Sequence, residues 1–350
     1  MPPLTVLVTG ASGYIASHTI QQLLEKTAFA IRGTVRNLQD TAKFAHLTAL
    51  PHADTRLQLV QADLLDAASW APAVRGCAAV FHIASPFTHD PVDGLRDLVE
   101  PAVQGTATVL NAAVAEPSVQ TIVLTSSTSS ITDAPLSGKT YTEDDWNTTS
   151  SLTWNVYNYS KVCAEKKAWE IINALPKDVK TTKRFVVLNP ILVLGPSLSN
   201  VVSESVAAVL DPFNGNMPML ADMPLPFVDV RDVARAHILA LMQPAATGRI
   251  ILAGPMPSVP TVVALMRAKY PSAKYLPTLT APQWLVWVSS FLQKRGKGQL
   301  IRCYIYATDY GFDASKSKAV LGLTYRSMDE TIVDTIDDAI ARGFIDPAYV

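Results

Sequence analysis

The sequence has few cysteines and almost no net charge. Its 350 residues include three cysteines, Cys77, Cys163 and Cys303, which lie far apart and form no CxxC pair. This spacing argues against a disulfide framework and against a structural zinc site, so we expect no bound metal. The 29 basic and 30 acidic residues give a formal net charge of −1. We therefore expect no nucleic-acid partner, since no overall field attracts a polyanion.

Long apolar runs and a targeting segment are also missing. No apolar stretch reaches the ~18 residues that suggest a membrane span. The N-terminus reads Met1-Pro2-Pro3-Leu4 and lacks the basic and apolar regions of a signal peptide. Hydrophobic residues make up 49% of the chain and charged residues 17%, which argues against disorder. These features predict a soluble, cytoplasmic protein with a sizeable core and no membrane partner.

Residues 282–292 form the most apolar stretch, and Lys294, Arg295 and Lys297 follow it. A helix that lies on a membrane surface would have this composition. The run is far too short to span a bilayer. We therefore interpret it as a core or pocket-lining helix with a solvated basic end.

Short apolar runs alternate with helical patterns through the first half of the chain. The runs are apolar at consecutive positions, as expected of strands that are covered on both faces. The predicted strands are residues 4–9, 29–35, 57–62, 78–83, 121–125, 185–188 and 250–253. The predicted helices include residues 15–26, 95–115 and 154–174. This order predicts an α/β fold, a doubly wound parallel sheet of the Rossmann type.

A glycine-rich loop follows the first predicted strand and opens a helix, with the sequence Thr9-Gly10-Ala11-Ser12-Gly13-Tyr14-Ile15-Ala16. Gly10 supplies a residue without a Cβ for the tight turn. Gly13 would let the backbone approach a pyrophosphate, and Ala16 permits close packing of helix and strand. The amide groups and dipole at the helix N-terminus stabilise an anion. The loop therefore predicts a dinucleotide site.

The end of the second predicted strand indicates which dinucleotide is bound. A carboxylate there would bind the ribose hydroxyls of NAD, whereas a basic residue accommodates the 2′-phosphate of NADP. The strand ends in Arg36, and the next carboxylate is Asp40. We expect Arg36 to clamp the phosphate, whereas Lys43 fits a solvated surface position better. Asp63 could accept a hydrogen bond from the adenine amino group, or it could cap a helix.

Tyr157 and Lys161 are four residues apart in a predicted helix, so their side chains share one face. Reduction of a carbonyl needs a proton donor at oxygen while hydride arrives at carbon. Tyrosine ionises near pH ~10. A nearby ammonium, aided by the positive nicotinamide ring of the oxidised cofactor, is expected to stabilise the phenolate and lower the tyrosine pKa. The pair therefore predicts a general acid with a supporting cation.

A third polar group should hold the carbonyl oxygen. Residues 126–130, which read Ser-Ser-Thr-Ser-Ser, follow the fifth predicted strand, and ligands of parallel sheets sit at the carboxyl ends of strands. We choose Ser127, with Thr128 and Ser129 as alternatives. The hydroxyls could instead serve only as turn and cap groups.

These motifs together resemble the extended short-chain dehydrogenase/reductases. Three segments narrow the resemblance to the dihydroflavonol reductase and cinnamoyl-CoA reductase group, most closely its fungal and yeast NADPH-dependent aldehyde and ketone reductases. The segments are residues 82–87 (HIASPF), 123–127 (VLTSS) and 227–234 (FVDVRDVA). After about Leu194, prolines and glycines break the alternating pattern into loops and short helices, and residues 227–240 and 250–253 look regular again. This change of pattern predicts a dinucleotide-binding domain at residues 1–193 with 226–254. A smaller, mostly helical substrate-binding region would comprise residues 194–225 with 255–350.

The resemblance also implies residue roles. Ser127 would hydrogen-bond the substrate carbonyl, Tyr157 would donate the proton and Lys161 would support it. The substrate would also contact Phe87. The cofactor-binding residues would be Thr9, Gly10, Ser12, Gly13, Tyr14, Ile15, Arg36, Asp63, Leu64, Ala84, Ser85, Pro86, Tyr157, Lys161 and Pro190, with Pro190 on a loop beside the carboxamide. One departure is Ala102, which stands where many members carry a proton-relay Asn.

The expected function is that of an NADPH-dependent ketoreductase or aldehyde reductase, a monomer or homodimer that converts a hydrophobic or aromatic carbonyl compound to a chiral alcohol. A sugar-nucleotide epimerase or dehydratase is an alternative, which Arg36 disfavours because such enzymes commonly prefer NAD. A non-catalytic NADP-sensing protein is another, although such proteins typically lose the Tyr/Lys pair. We interpret His82 and His237 as structural histidines, since no pair has metal-ligand spacing.

Overall fold

The computed structural model describes residues 4–86 and 91–350. Its centre is a parallel sheet with the strand order β11-β7-β5-β4-β1-β2-β3. The seven strands are β1 (Thr5–Val8), β2 (Ala30–Val35), β3 (Leu57–Gln61), β4 (Ala79–His82), β5 (Thr121–Thr125), β7 (Arg184–Pro190) and β11 (Gly248–Leu252). The order reverses between β1 and β4, which places a topological switch point at the carboxyl ends of these two strands.

Helices cover both faces of this sheet. In the part of the chain that the structure describes, the α-helices are α1 (Tyr14–Lys26), α2 (Ala45–Thr48), α3 (Ala53–Arg56), α4 (Trp70–Val74), α5 (Glu100–Ala115), α6 (Val156–Asn173), α7 (Lys177–Thr182), α8 (Glu204–Leu210), α9 (Val230–Met242), α10 (Val259–Lys269), α11 (Gln283–Ser289), α12 (Arg295–Tyr304), α13 (Ser315–Leu321) and α14 (Met328–Ala341).

Successive strand residues enter different cores because side chains alternate across a strand. Val6 and Val8 of β1 lie in one cluster with residues of α1 and α9. Leu7, between them, lies in another cluster with residues of α4, α5 and α6. This arrangement explains why the strands are apolar at consecutive positions, and it confirms the predicted doubly wound parallel sheet.

The rest of the chain builds a third core beside the sheet. Leu194, Phe213, Phe227 and Ile336 are among its buried residues. Short parallel strand pairs accompany it, namely β8 (Leu192–Leu194) with β10 (Phe227–Asp229), β9 (Leu220–Ala221) with β12 (Thr280–Ala281), and β6 (Thr140–Tyr141) with β13 (Gly311–Phe312). The segments of this third core alternate along the chain with those of the sheet. The domain boundaries proposed from the sequence stay a prediction.

Element boundaries differ from the sequence expectations at a few places. A π-helical turn, Leu95–Val99, precedes α5, where one continuous helix was expected. Pro190 is the last residue of β7, so the expectation of a loop at that position is wrong. Pro190 lacks an N–H, and the pairing with β11 is continued by the backbone N–H of Ile191, which donates to the carbonyl of Leu252 at 3.1 Å.

The apolar stretch at residues 282–292 is not a core helix, and that part of the interpretation is wrong. No residue of α11 is buried, and Trp284 is 63% exposed. The 3₁₀ turn Ser290–Leu292 continues α11, and its buried residue is Ser290. Each helix in the described part of the chain is either too short or too polar to span a bilayer.

Candidate active site

The glycine loop between β1 and α1 has the backbone that a pyrophosphate site requires. Gly10 has a φ of +64°, and a Cβ there would lie 2.9 Å from the Cβ of Ala84. Gly13 is the N-cap of α1, and within the described chain no side chain caps this helix end. The first amide groups of α1 are therefore left to an anionic ligand. Gly13 is also exposed, so a phosphate can reach them.

The residues after β4 are fixed against the glycine loop by Thr9. The hydroxyl of Thr9 accepts hydrogen bonds from the backbone N–H groups of Ile83 and Ala84, both at 2.9 Å. It also lies 3.1 Å from Nδ1 of His82. The ends of β1 and β4 are thereby joined at the switch point. Ser85 and Pro86 follow Ala84 directly, whereas Phe87 lies outside the described residues.

Other residues of the predicted cofactor set lie along the same side of the sheet. The Tyr14 hydroxyl donates to the carbonyl of Gly195 at 2.7 Å, so the Tyr14 side chain is engaged away from a ligand. Ile15 packs against the core, and Ser12 is half-buried. The backbone of both residues can therefore contact a ligand near the start of α1.

Arg36 lies just after β2 and is exposed. Lys43 instead pairs with Asp40 at 2.6 Å in an exposed ion pair, which agrees with its interpretation as a surface residue. Oδ1 of Asp63 accepts from the backbone N–H of Leu65 at 2.9 Å. Leu64 packs against α5 at Gly105. The Asp63 carboxylate thus shapes the turn after β3, whereas Asp66 caps the 3₁₀ turn that follows, so the alternative role of Asp63 as a helix cap is wrong.

Tyr157 and Lys161 lie one turn apart near the start of α6, and Nζ of Lys161 is 5.7 Å from the centre of the Tyr157 ring. The helix begins after Asn155, whose φ of +49° is left-handed. The side-chain amide of Asn155 donates to Oδ2 of Asp133 at 3.0 Å, and the backbone N–H of Asn155 donates to Oε1 of Gln299 at 3.1 Å. These bonds hold the start of α6, and with it Tyr157, in one position.

Burial sets the charge states of this pair. Desolvation raises the pKa of Tyr157 well above its ordinary value, and the nearby Glu204 carboxylate raises it further. The expected lowering of the Tyr157 pKa is therefore wrong for this structure, because burial dominates. Desolvation lowers the pKa of Lys161 to about 8. At neutral pH the phenol is therefore protonated and the amine is charged. Burial, with a smaller contribution from the Lys161 charge, lowers the pKa of His82 to about 3, so His82 is neutral.

Ser127 follows β5 as the N-cap of a 3₁₀ turn, Thr128–Ser130. Its Oγ accepts from the backbone N–H of Ser129 at 3.1 Å, which is the cap role considered for these hydroxyls. The hydroxyl proton of Ser127 is not used in that bond and can be donated to a ligand. The Thr128 hydroxyl, in contrast, is buried and lies 3.5 Å from the carbonyl oxygen of Pro190.

A buried carboxylate, Glu165, connects α6 to the Ser127 loop. It lies on α6 four residues after Lys161 and is 1% exposed. Its Oε2 accepts from the hydroxyls of Ser126 and Ser130 and from the side-chain amide of Asn189 at 2.9 Å.

Two of the Glu165 partners also lie within hydrogen-bond distance of the Ser127 backbone, although the single proton of the Ser130 hydroxyl can serve only one of its two acceptors at a time. The Ser130 hydroxyl is 2.7 Å and the Asn189 amide 3.2 Å from the carbonyl oxygen of Ser127. The charge of Glu165 is balanced by Arg249, whose Nε is 2.7 Å from Oε1. The helix with Tyr157 and Lys161 is therefore joined to the serine loop by buried polar contacts.

Sequence reasoning missed Glu165, Asn189 and Arg249. One signal was available, because residues 157, 161 and 165 share one helix face. Nothing local to Asn189 or Arg249 identifies the partner of either, since their partners are distant in sequence.

Both histidines that we interpret as structural, His82 and His237, have hydrogen-bond partners in the structure. His237 is buried, with Nε2 2.7 Å from the Thr125 hydroxyl and Nδ1 2.8 Å from the carbonyl of Val233. Burial lowers its pKa to about 4. Among the described residues, no group of three or more histidine, cysteine or acidic side chains could hold a metal ion. Ala102 is buried in α5 and offers no polar side chain for a relay.

Comparison with known proteins supports the motif-based resemblance. A model of the "NAD dependent epimerase/dehydratase family" matches residues 6–254, more than half of the chain. Cinnamoyl-CoA reductase CAD2 of Medicago truncatula is 34% identical over 347 residues, which cover 97% of this chain and 96% of the relative. Dihydroflavonol 4-reductase of Arabidopsis thaliana is 29% identical over 347 residues, covering 97% of this chain and 84% of the relative.

A solved structure agrees with these relatives. Yeast methylglyoxal/isovaleraldehyde reductase Gre2, solved in complex with NADPH, superposes with a TM-score of 0.79 at 25% identity. The superposition covers 97% of this chain and 99% of that structure. The resemblance to the extended short-chain dehydrogenase/reductases is therefore confirmed, and the chain belongs to the NAD dependent epimerase/dehydratase family, among relatives that are reductases.

Proposed function

We propose that this protein is an NADPH-dependent reductase that converts a ketone or aldehyde to an alcohol. The observation that carries the proposal is the position of Tyr157 and Lys161 on α6, which Glu165 joins to the loop bearing Ser127. The Lys161 charge also acts on His82, which touches Thr9 at the glycine loop. These contacts support the proposal that the proton donor, its cation and the dinucleotide loop form one site.

The chain's residues fit the proposed cofactor. Gly10 keeps the turn free of a Cβ that would collide with Ala84, and the uncapped N–H groups of α1 can donate hydrogen bonds to the pyrophosphate. The Arg36 guanidinium, exposed at the end of β2, suits the 2′-phosphate. When bound, NADPH supplies the hydride that reaches the carbonyl carbon.

Tyr157 would act as the general acid. Its raised pKa keeps the phenol protonated before reaction. As the carbonyl carbon gains hydride, its oxygen takes the phenolic proton, so the product is a neutral alcohol and tyrosine is left as phenolate. The Lys161 ammonium stabilises that phenolate by charge attraction. Proton exchange with solvent then restores the phenol.

Ser127 would hold the substrate oxygen through its remaining hydroxyl proton. A donor fixed at the developing negative charge stabilises the transition state more than the ground state. Fixation is supplied by the bond from Ser129 and by the Glu165 contacts on either side of the loop. In this role Glu165 is a positioning residue, because it acts through Ser127.

The substrate class is proposed from the relatives' names. Cinnamoyl-CoA, dihydroflavonols and isovaleraldehyde each place an aromatic or branched apolar group near the reduced carbonyl, whereas methylglyoxal, which also stands in the name of the yeast reductase, carries only a methyl group. We propose a hydrophobic or aromatic carbonyl compound for this chain as well. The sugar-nucleotide alternative is disfavoured by Arg36, which replaces the carboxylate that would bind the ribose of NAD.

The test is an NADPH-oxidation screen with purified protein. Substrates would be aromatic ketones, β-keto esters, aliphatic aldehydes, dihydroflavonols and a cinnamoyl thioester, each assayed with NADPH and with NADH. We expect turnover with NADPH on at least one apolar carbonyl class, and a single enantiomer where the product is chiral. Two results would contradict the proposal, namely no oxidation with any compound, or NAD that stays tightly bound through purification.

A further inference from the structure

In helix α11 and the 3₁₀ turn after it, apolar side chains are exposed to solvent, which is the opposite of an ordinary surface helix. We define the apolar face as Trp284, Trp287, Val288, Phe291 and Leu292. Their exposed fractions are 63%, 39%, 50%, 60% and 89%. Ser290 is instead buried and donates to the carbonyl of Trp287. A surface helix normally places its serine outward and its tryptophans inward.

The spacing shows that the apolar face is a continuous surface. Its members lie at positions i, i+3, i+4, i+7 and i+8, which fall on one side of a helix. The Trp287 and Phe291 rings touch, with centroids 4.9 Å apart. A contiguous exposed apolar patch on a protein surface commonly marks an interaction site.

Basic residues predominate beside the apolar face, although one of them, Lys297, is paired with Asp211 at 2.9 Å. Between Asp232 and Asp309 the chain contains no acidic residue and nine basic ones. The Arg302 guanidinium carbon lies 4.4 Å from the centre of the Phe291 ring. Lys294 and Arg295 are exposed immediately after Leu292. The net charge of −1 for the whole chain conceals this local positive region.

We propose that the apolar face docks on the surface of an anionic lipid bilayer. The partner must present apolar material for the rings beside negative charge for the cations, and an interface of anionic lipid offers both. Tryptophan favours the boundary between headgroup and acyl chain. The helix would lie in the plane of the interface, because it is too short to span. This proposal is independent of the catalytic one, since binding needs no turnover.

Vesicle flotation with the full chain tests the proposal. We expect binding to vesicles of phosphatidylcholine with phosphatidylserine, weak binding to phosphatidylcholine alone, and release as salt rises. Trp284→Ser combined with Phe291→Ser should lower affinity for the anionic vesicles about tenfold or more. Lys294→Glu should lower it about tenfold, since attraction becomes repulsion.

Matched controls are Leu136→Ser, which changes a 64% exposed leucine outside the apolar face, and Lys26→Glu, which reverses an exposed charge on α1. Neither should alter binding, and thermal unfolding would verify that every variant is folded. The proposal is overturned if the parent protein ignores anionic vesicles or if the apolar-face variants float as well as the parent. It is also overturned if light scattering finds that the face joins two copies of the chain instead.

Discussion

The two ends of the proposed site are built differently. At the proton-transfer end, Lys161 and Glu165 are buried and the Ser127 loop is bonded through neighbouring side chains. At the phosphate end, Arg36 is exposed. Proton transfer needs atoms held within a fraction of an ångström, whereas a phosphate can attract a flexible guanidinium over a longer range. The buried proton-transfer end therefore requires a rigid structure, whereas the exposed phosphate end does not.

Changes at the buried end should therefore lower kcat, and changes at the exposed end should mainly raise the KM for NADPH. The largest effect is expected for Tyr157→Phe, which removes the proton and leaves the ring in place. We expect kcat to fall by about 10³-fold or more, with NADPH affinity nearly unchanged. Carbonyl-dependent NADPH oxidation and cofactor-binding fluorescence would measure the two quantities. Retained turnover would refute Tyr157 as the acid.

The next effect concerns the buried ion pair behind the serine loop. Glu165→Ala leaves Arg249 buried without its partner, so the free energy of unfolding should fall by about 3–5 kcal/mol. Glu170→Ala is the control, because Glu170 lies on the same helix in an ion pair with Lys167 in which the glutamate is 67% exposed. That change should cost no more than about 1 kcal/mol. Denaturant unfolding would measure both.

The double variant Glu165→Leu with Arg249→Leu sharpens this test. It removes both charges together, so it should recover part of the stability lost in Glu165→Ala. If the role of Glu165 includes positioning Ser127, the double variant should still have a low kcat with a normal KM for NADPH. Full recovery of kcat would show that the pair serves stability alone.

Ser127→Ala should lower kcat by about 10²-fold, as removal of one oxyanion donor does. Ser129→Ala is the matched control, because Ser129 contributes its backbone N–H rather than its hydroxyl to the bond with Ser127. Steady-state kinetics on the best substrate of the screen would compare them. A larger loss for Ser129→Ala would transfer the role to that residue.

Arg36→Ala examines the exposed end. A charged hydrogen bond is worth about 1.5–3 kcal/mol, so the KM for NADPH should rise about tenfold or more. The KM for NADH should hardly change, since NADH lacks the 2′-phosphate. Lys43→Ala should leave both constants unchanged, because Lys43 pairs with Asp40. Equal changes for the two cofactors in Arg36→Ala would remove that residue from the phosphate site.

The smallest effect is expected in the pH profile, which tests the buried cation Lys161. Burial lowers the pKa of Lys161 to about 8, so the ammonium is present below that pH and is lost as pH rises through it. The kcat/KM for NADPH, which reports groups of the free enzyme, should therefore fall above about pH 8. Lys161→Arg should shift or remove this limb, because arginine stays charged. A flat parent profile there would contradict the assignment.

The sheet, the glycine loop and the Tyr157/Lys161 pair could be predicted because each depends on short-range spacing. Consecutive apolar positions indicated strands buried on both faces, and residues four apart indicated one helix face. The Glu165–Arg249 pair could not be predicted, because nothing local to Arg249 specifies a partner on α6. The orientation of α11 was mispredicted, since apolar composition does not say which side of a short helix meets the protein.

The backbone bond from Asn155 to Gln299 has a consequence for engineering. The side chain that anchors the acid-bearing helix comes from α12, far along the chain. In a chimaera, the C-terminal region that contains Gln299 could be replaced by that of another enzyme. The hydrogen bond to Asn155 would then be kept only if the replacement also carries a glutamine at this position. Exchanges that retain Gln299 should preserve proton delivery while selectivity changes, so residue 299 is a natural boundary for recombination.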